Sequence, residues 1–263
     1  VRLVTWNVNS LRARLPRVEE FLAYASADVV CLQETKLADA QFPFERFEAL
    51  GYEAAHFGNG PWNGVAVLSR VGIADVRRGF VDEDPDEAAE CRLIEATCAG
   101  VRVASVYVPN GRALGSEQFA AKLEFLDRLR RHVLVTPAPG GERVLAGDFN
   151  VAPADIDVFD PAAFEGATHV TPEERTALAR LEEAGLVDVF RRLYAGIPGL
   201  YTWWDYRGGA FHRGQGMRID LVLASEPLAA RATWAIVDRQ ARRGQGGPRQ
   251  PSDHAPVVVD FSR

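Results

Sequence analysis

Lysine is nearly missing from this chain: Lys36 and Lys122 are the only two among 30 basic residues in a total of 263. Basic contacts therefore fall to arginine, whose planar fork grips carboxylates and phosphates bidentately where lysine offers a point charge. Cysteine is also scarce, with Cys31, Cys91 and Cys98 forming no Cys-x-x-Cys and no paired His/Cys spacing. No zinc cage is indicated, so any metal is a hard one, and the odd, sparse count suits a reducing compartment. Cys31 lies inside Val29-Val30-Cys31-Leu32 and reads as an inert buried thiol. No apolar run is long enough for a bilayer, and the chain opens on strand-like Arg2-Leu3-Val4-Thr5-Trp6. The expectation is a cytoplasmic protein with no membrane partner.

Hydrophobic residues make up 47% and charged residues 25%, which describes a packed globular protein and excludes wholesale disorder. A net charge of −6 speaks against a surface that grips nucleic acid all over. The acidity is local, however. Six carboxylates and no base fall between Asp82 and Glu90, a segment expected to be a solvated loop, and without it the chain is neutral. Arg12, Arg14 and Arg17 share one short stretch, and Arg239, Arg242, Arg243 and Arg249 another, so a local basic face is compatible with the composition.

Short runs rich in Val, Leu and Ile predict strands over 3–8, 28–33, 64–68, 101–108, 144–146, 219–223 and 257–261. Amphipathic spacing predicts helices over 15–25, 117–133 and 172–184; Phe119, Leu123, Leu126 and Leu129 carry the second. Thr171-Pro172-Glu173-Glu174 has the order of a helix start, with Thr171 as N-cap. No solenoid repeat and no long linker divides the chain, so residues 1–263 are expected to form a single layered α/β domain.

Polar groups gather at the ends of the apolar runs: Asn7 and Asn9, Glu34, Asp148 and Asn150, Asp220, and Asp253-His254. Strand ends converge in layered α/β folds. Period-two alternation puts Asp148 with Asn150, and Asn7 with Asn9, on one side of an extended chain, so each pair can face one pocket. Hard oxygen ligands suit Mg²⁺, and phosphate is the matching substrate. Phosphodiester cleavage needs charge stabilised on nonbridging oxygens, an activated water and help for the leaving alkoxide. A carboxylate such as Asp220 beside His254 would fix its tautomer, and Tyr107 and Asn150 could donate hydrogen bonds.

Six ordered blocks carry a family resemblance: Leu3-Val4-Thr5-Trp6-Asn7-Val8-Asn9, Leu32-Gln33-Glu34-Thr35-Lys36, Gly64-Val65-Ala66-Val67-Leu68, Tyr107-Val108-Pro109-Asn110-Gly111, Gly147-Asp148-Phe149-Asn150-Val151 and Ser252-Asp253-His254. Together they resemble the exonuclease III family of abasic-site endonucleases, within the endonuclease/exonuclease/phosphatase superfamily. The resemblance implies a four-layer α/β sandwich of two central mixed β-sheets flanked by helices. It also implies Mg²⁺, with Mn²⁺ as a substitute, held by Glu34 with Asn7 close by and Asp253 assisting. By the same resemblance Asp148 is the water-activating carboxylate, Asn150 and Tyr107 bind phosphate, and Asp220 partners the catalytic His254.

Tyr201-Thr202-Trp203-Trp204 followed by Gly216-Met217-Arg218-Ile219-Asp220 resembles the region that lines an apolar slot for an extruded, base-less sugar. Trp203, Met217 and Ile219 would form its walls; some relatives carry Trp where this chain has Met217, a softer side chain. Arg12, Arg17, Trp62, Asn110, Arg112 and Arg207 fall on or near family positions that contact or wedge into DNA. The implied activity is incision 5′ to an abasic nucleotide in double-stranded DNA during base excision repair, with 3′→5′ exonuclease and 3′-phosphatase action, by a monomer at the nucleoid. Superfamily phosphodiesterases acting on RNA or phosphoinositides, and a catalytically silent DNA-binding protein, are the alternatives.

Overall fold

The computed structural model describes residues 1–85, 90–244 and 250–262. Asp86 and Glu87 of the acidic segment, and Arg249 of the basic stretch, lie outside the described residues. The strands are β1 (Arg2–Asn7), β2 (Val29–Gln33), β3 (Glu53–Phe57), β4 (Val65–Ser69), β5 (Ala74–Arg78), β6 (Leu93–Cys98), β7 (Val101–Tyr107), β8 (Arg143–Asp148), β9 (Leu186–Asp188), β10 (Asp220–Ser225), β11 (Ala232–Val237) and β12 (Val257–Phe261). The helices are α1 (Leu11–Ala25), α2 (Phe44–Glu48), α3 (Glu117–Val135), α4 (Pro172–Glu183), α5 (Val189–Leu193), α6 (Ala210–Arg213), α7 (Glu226–Ala229) and α8 (Arg239–Arg242).

Two mixed six-stranded sheets result, in the orders β11-β12-β1-β2-β4-β3 and β5-β6-β7-β8-β10-β9. Each holds one parallel pair, β1 with β2 and β7 with β8, and is otherwise antiparallel. A parallel pair needs a long crossover, which α1 supplies in the first sheet and α3 in the second. The same strand order therefore occurs twice, cyclically shifted, and places the C-terminal ends of β1, β2, β7 and β8 in equivalent positions.

Alternation along the strands builds four layers. Leu3, Val29, Cys31 and Val67 of the first sheet pack against Ile94, Val103, Val144 and Val222 of the second. Val4, Trp6, Val30 and Leu32 turn the other way, onto Phe21 and Leu22 of α1. Leu145 and Leu221 meet Leu126 and Leu129 of α3 and Leu178 and Leu181 of α4. Because both faces of each central strand are covered, the sequence reads there as continuous apolar runs.

All seven expected strands and three expected helices form, with shifted ends. The first helix begins at Leu11, although Pro16 marks a first turn at Leu15, because the side chain of Leu11 is fully buried and tertiary packing outweighs the break. Thr171 caps α4 in a reciprocal box with Glu174. Five strands were not expected. Strand β5 is exposed throughout and lacks an apolar period, and β6 is interrupted by Glu95, which is buried because Arg102 and His132 pair with it at 3.0 Å. The acidic segment also departs from a simple solvated loop, since Asp82 and Glu83 lie 3.1 and 3.8 Å from Arg128 and Glu90 pairs with Arg92 at 2.6 Å.

The turn after β2 positions Glu34 and is held from β3. Glu34 and Lys36 take left-handed φ of 52° and 53°, and between them the Thr35 hydroxyl donates to His56 Nε2 at 2.8 Å. His56 Nδ1–H in turn donates to Asp39 at 2.7 Å. Gly64 closes over this relay at φ 89°, where a Cβ would stand 2.1 Å from Thr35 Oγ1. Burial holds the His56 imidazole down to about 4 despite Asp39, so it is neutral in the folded chain. A folded pKa below the unfolded value of 6.5 contributes stability above that pH and loses it as pH falls toward 4. Between pH 6.5 and 4 the wild type should therefore lose more thermal stability than His56→Gln, on a background set by His169, also held near 4, and by Asp148, raised to about 7, which acts in the opposite direction. Equal slopes in the two proteins would contradict this assignment.

Candidate active site

The layer between the sheets turns polar just beneath the strand ends. Gln33 Nε2 donates to Ser105 Oγ at 3.0 Å and Thr5 Oγ1 at 3.1 Å, and all three residues are fully buried. One step further along, Asn7 at the end of β1 uses one amide nitrogen for two carboxylates: Nδ2 donates to Glu34 Oε1 and to Asp148 Oδ2, each at 2.9 Å. Asp148 ends β8, so this amide ties the first sheet to the second.

Asn7 with Asn9 and Asp148 with Asn150 do face one site, but not by the pleat of an extended strand. Asn9 and Asn150 have φ of 43° and 51°, and the backbone N–H of each donates to the side-chain oxygen two residues back at 2.9 Å. These Asx turns stop both strands with the same geometry, which asparagine tolerates better than most residues. Asn9 then donates to Asp253 Oδ1 at 3.0 Å and accepts from Lys36 at 2.7 Å, while Lys36 pairs with Glu34 at 2.8 Å.

Asp220 begins β10 directly opposite Asp148, and the loop before β12 brings His254 beside it. His254 Nδ1–H donates to Asp220 Oδ2 at 2.8 Å, and its Nε2 stands 3.8 Å from Asp148 Oδ2. Burial lowers the affinity of His254 for its proton, but Asp220 and Asp148 outweigh it and raise the imidazole to about 10. Burial lifts Asp148 to about 7, with Asp220 and Glu34 adding to it and His254 and the Asn7 hydrogen bond opposing. Asp253 stays below the ordinary carboxyl range: burial raises it, and the charge of His254 with the Trp203 and Asn9 hydrogen bonds outweighs that. Burial, with Glu34 and Asp148 nearby, holds the Tyr107 phenol well above its usual value, so it is a donor.

Four carboxylates, from Glu34, Asp148, Asp220 and Asp253, thus crowd two cations, Lys36 and His254. Asp148, Asp220 and His254 also present ligand atoms within 4.8 Å of one another. Glu34 and Asp148 share a single hydrogen-bond donor, and converging hard oxygens with excess negative charge fit a divalent cation.

Around this centre, Trp203 forms isolated bridges with Met217 and with His254, and its indole donates to Asp253 Oδ2 at 3.1 Å. Met217 and Ile219 sit with Trp203, Ala152 and Val158, but only 1% and 3% of their surfaces are exposed, under partial cover from Phe164 and Val170. Trp204 is fully buried, edge-on to Phe211. Asn110 reaches Asn150 Oδ1 at 3.4 Å, whereas Arg12, Arg112 and Arg207 are exposed and touch none of the central carboxylates. Trp62 is 75% exposed. Arg17 reaches the carbonyl of Ala241 at 3.3 Å, linking α1 to α8.

The sequence did not single out several contributors. Arg92 lies over the Tyr107 ring at 4.7 Å; it precedes β6, a strand with no visible pattern. His169 donates from Nδ1 to the carbonyl of Asn150, and its Nε2 lies 3.4 Å from Asn110 Nδ2. Arg218 is buried between Met217 and Ile219, bound to Asp157 at 2.6 Å and Asp188 at 2.8 Å. A lone arginine between two apolar residues was its only signal.

Residues 4–254 match the Endonuclease/Exonuclease/phosphatase family. Exodeoxyribonuclease III of Haemophilus influenzae is 32% identical over 272 residues, covering 99% of this chain and 100% of the relative. The exodeoxyribonuclease of Bacillus subtilis is 34% identical over 262 residues, 98% of each chain. Among solved structures, a 3′-5′ exonuclease from Neisseria meningitidis superposes with TM-score 0.93 at 39% identity, covering 100% of both chains. An AP endonuclease from Archaeoglobus fulgidus gives 0.93 at 37% identity, again covering 100% of both. A Neisseria 3′ phosphatase bound to a product DNA hairpin gives 0.93 at 38% identity, covering 100% of this chain and 99% of that one. With residues 4–254 matched to the family and relatives above 30% identity covering almost the whole chain, the chain belongs to the Endonuclease/Exonuclease/phosphatase family.

Proposed function

We propose that this protein is a Mg²⁺-dependent DNA phosphodiesterase that binds duplex DNA at an abasic nucleotide and hydrolyses the phosphodiester on its 5′ side, leaving a 3′-hydroxyl. The same centre would serve 3′→5′ exonuclease and 3′-phosphatase reactions, and a single chain holds all the groups required. The observation that carries this reading is the Asn7 amide gathering Glu34 and Asp148 opposite the His254–Asp220 pair. Glu34, with Asn7 and Asp253 nearby, would hold the cation, which supplies Lewis-acid neutralisation of phosphate charge.

The chain's own residues divide the remaining work. Asp148, lifted to about 7, is poised to take a proton from the attacking water near neutrality. His254, charged at that pH and fixed through Nδ1, has Nε2–H free to donate to a phosphoryl oxygen. Asn150 and Tyr107 add neutral donors. Arg12, Arg112, Arg207 and Trp62, all exposed, would contact the duplex.

A second reading, in which 3′-end processing dominates, is favoured by the closed slot. Met217 and Ile219 are almost fully buried, so an extruded sugar needs neighbouring side chains to move, whereas a terminal 3′-phosphate needs no slot. Incision of a 5′-labelled duplex with one stable abasic analogue, beside an undamaged duplex and a 3′-phosphate end, tests both. Cutting at the analogue with Mg²⁺ and not with chelator supports the first reading. Release of 3′-phosphate or 3′-nucleotides with the analogue intact supports the second, and no reaction on any of them refutes both.

His254→Ala and Asp148→Asn should each lower kcat by about 10²–10⁴, and near-normal rates in both would refute the mechanism. Glu34→Ala should raise the Mg²⁺ concentration needed for half-maximal rate, measured by metal titration. In ¹⁵N spectra of metal-free protein, His254 should remain doubly protonated at pH 8, and Asp220→Asn should release its proton at lower pH; an imidazole already neutral at pH 8 in the wild type would contradict the dyad.

A further inference from the structure

One of the two lysines stands where an apolar residue belongs. Residues 122, 125, 126, 129, 132 and 133 form the buried stripe of α3, and at its head Lys122 has no exposed surface. Burying an ammonium is costly unless every proton finds a partner. Lys122 Nζ donates to the carbonyl of Asn150 at 2.6 Å, to that of Asn110 at 3.2 Å and to Thr168 Oγ1 at 3.2 Å, and forms an ion pair with Glu174. Glu174 is saturated in turn by Thr168, Thr171 and the backbone of His169. The stem is fitted as closely as the head: a Cβ on Gly111 would stand 2.9 Å from Lys122 Cδ, and Gly111 has φ 86°.

The two carbonyls matter because of their side chains. Asn110 follows β7 and Asn150 follows β8, on separate loops that meet where Asn150 Nδ2 donates to the Val108 carbonyl at 2.9 Å, where Asn110 Nδ2 reaches Asn150 Oδ1 at 3.4 Å and where His169 lies against both, and among the described residues Lys122 alone binds the main-chain carbonyls of both asparagines. We propose that Lys122 is a positioning residue that clamps both loops from beneath, so that the Asn110 and Asn150 amides face one phosphate together. This rests on the phosphodiesterase reading above, in which Asn150 faces the phosphate, and extends it to Asn110 beside it.

The test is a mutant cycle with Lys122→Met and Asn150→Ala, singly and combined, on whichever phosphate-bearing duplex the wild type hydrolyses. Lys122→Met should lower kcat about 10–100-fold with KM nearly unchanged, and should add less than about threefold in the Asn150→Ala background, because the two act as one unit. Wild-type kcat in Lys122→Met, or losses that simply multiply, would overturn the proposal. Side-chain amide resonances of Asn110 and Asn150, recorded without substrate, decide the clamp independently of turnover: both should shift or broaden in Lys122→Met, and unchanged resonances overturn it. An inactive wild type with shifted amides would instead count against the phosphodiesterase reading alone. Should Lys122→Met fail to fold, Glu174→Gln, which keeps the ammonium but removes its counter-charge, carries the same cycle with a smaller expected loss.

Discussion

The site depends on one amide. Asn7 Nδ2 is shared between Glu34 of the first sheet's edge and Asp148 of the second, and it crosses the gap between sheets where apolar packing has ended. Below it the sheets are held by area, a non-directional force that tolerates small slips. At the rim, direction matters, and the Gln33–Thr5–Ser105 layer followed by Asn7 converts sheet packing into defined distances between carboxylates. A hydrogen bond to a charged group in a dry setting is among the stronger ties available.

The electrostatics follow from that convergence. Burial penalises the charged carboxylate of Asp148 and lifts it to about 7, with Asp220 and Glu34 adding to the rise and His254 opposing it. His254 takes the opposite course, because Asp220 and Asp148 hold its proton to about 10. One cluster thus presents a carboxylate able to accept a proton and a proton-bearing cation 3.8 Å apart.

Much of the machinery around the centre serves to hold it still. The Thr35–His56–Asp39 relay fixes the turn of Glu34, and Arg218 with Asp157 and Asp188 sets the segment carrying Met217 and Ile219. Lys122 does the same beneath Asn110 and Asn150. These buried ionic groups contribute position more than net stability, since their desolvation offsets most of their attraction.

By itself the sequence determined the layered α/β class, because alternating apolar periods of two and 3.6 leave few other ways to bury those faces. It also determined which polar groups meet, since Asn7, Glu34, Asp148, Asp220 and His254 each end or begin an apolar run and the strand ends that carry them emerge at one rim. What it left undecided are features whose cause lies far away in the chain. Strand β6 forms although Glu95 interrupts it, because Arg102 and His132 supply distant partners. Asn9 and Asn150 turn left-handed instead of following the pleat. Met217 and Ile219 are buried in a cluster against which Phe164 and Val170 pack from another part of the chain, so their burial was decided by tertiary packing. Local periodicity records which face a residue presents; only the folded chain decides what meets it there.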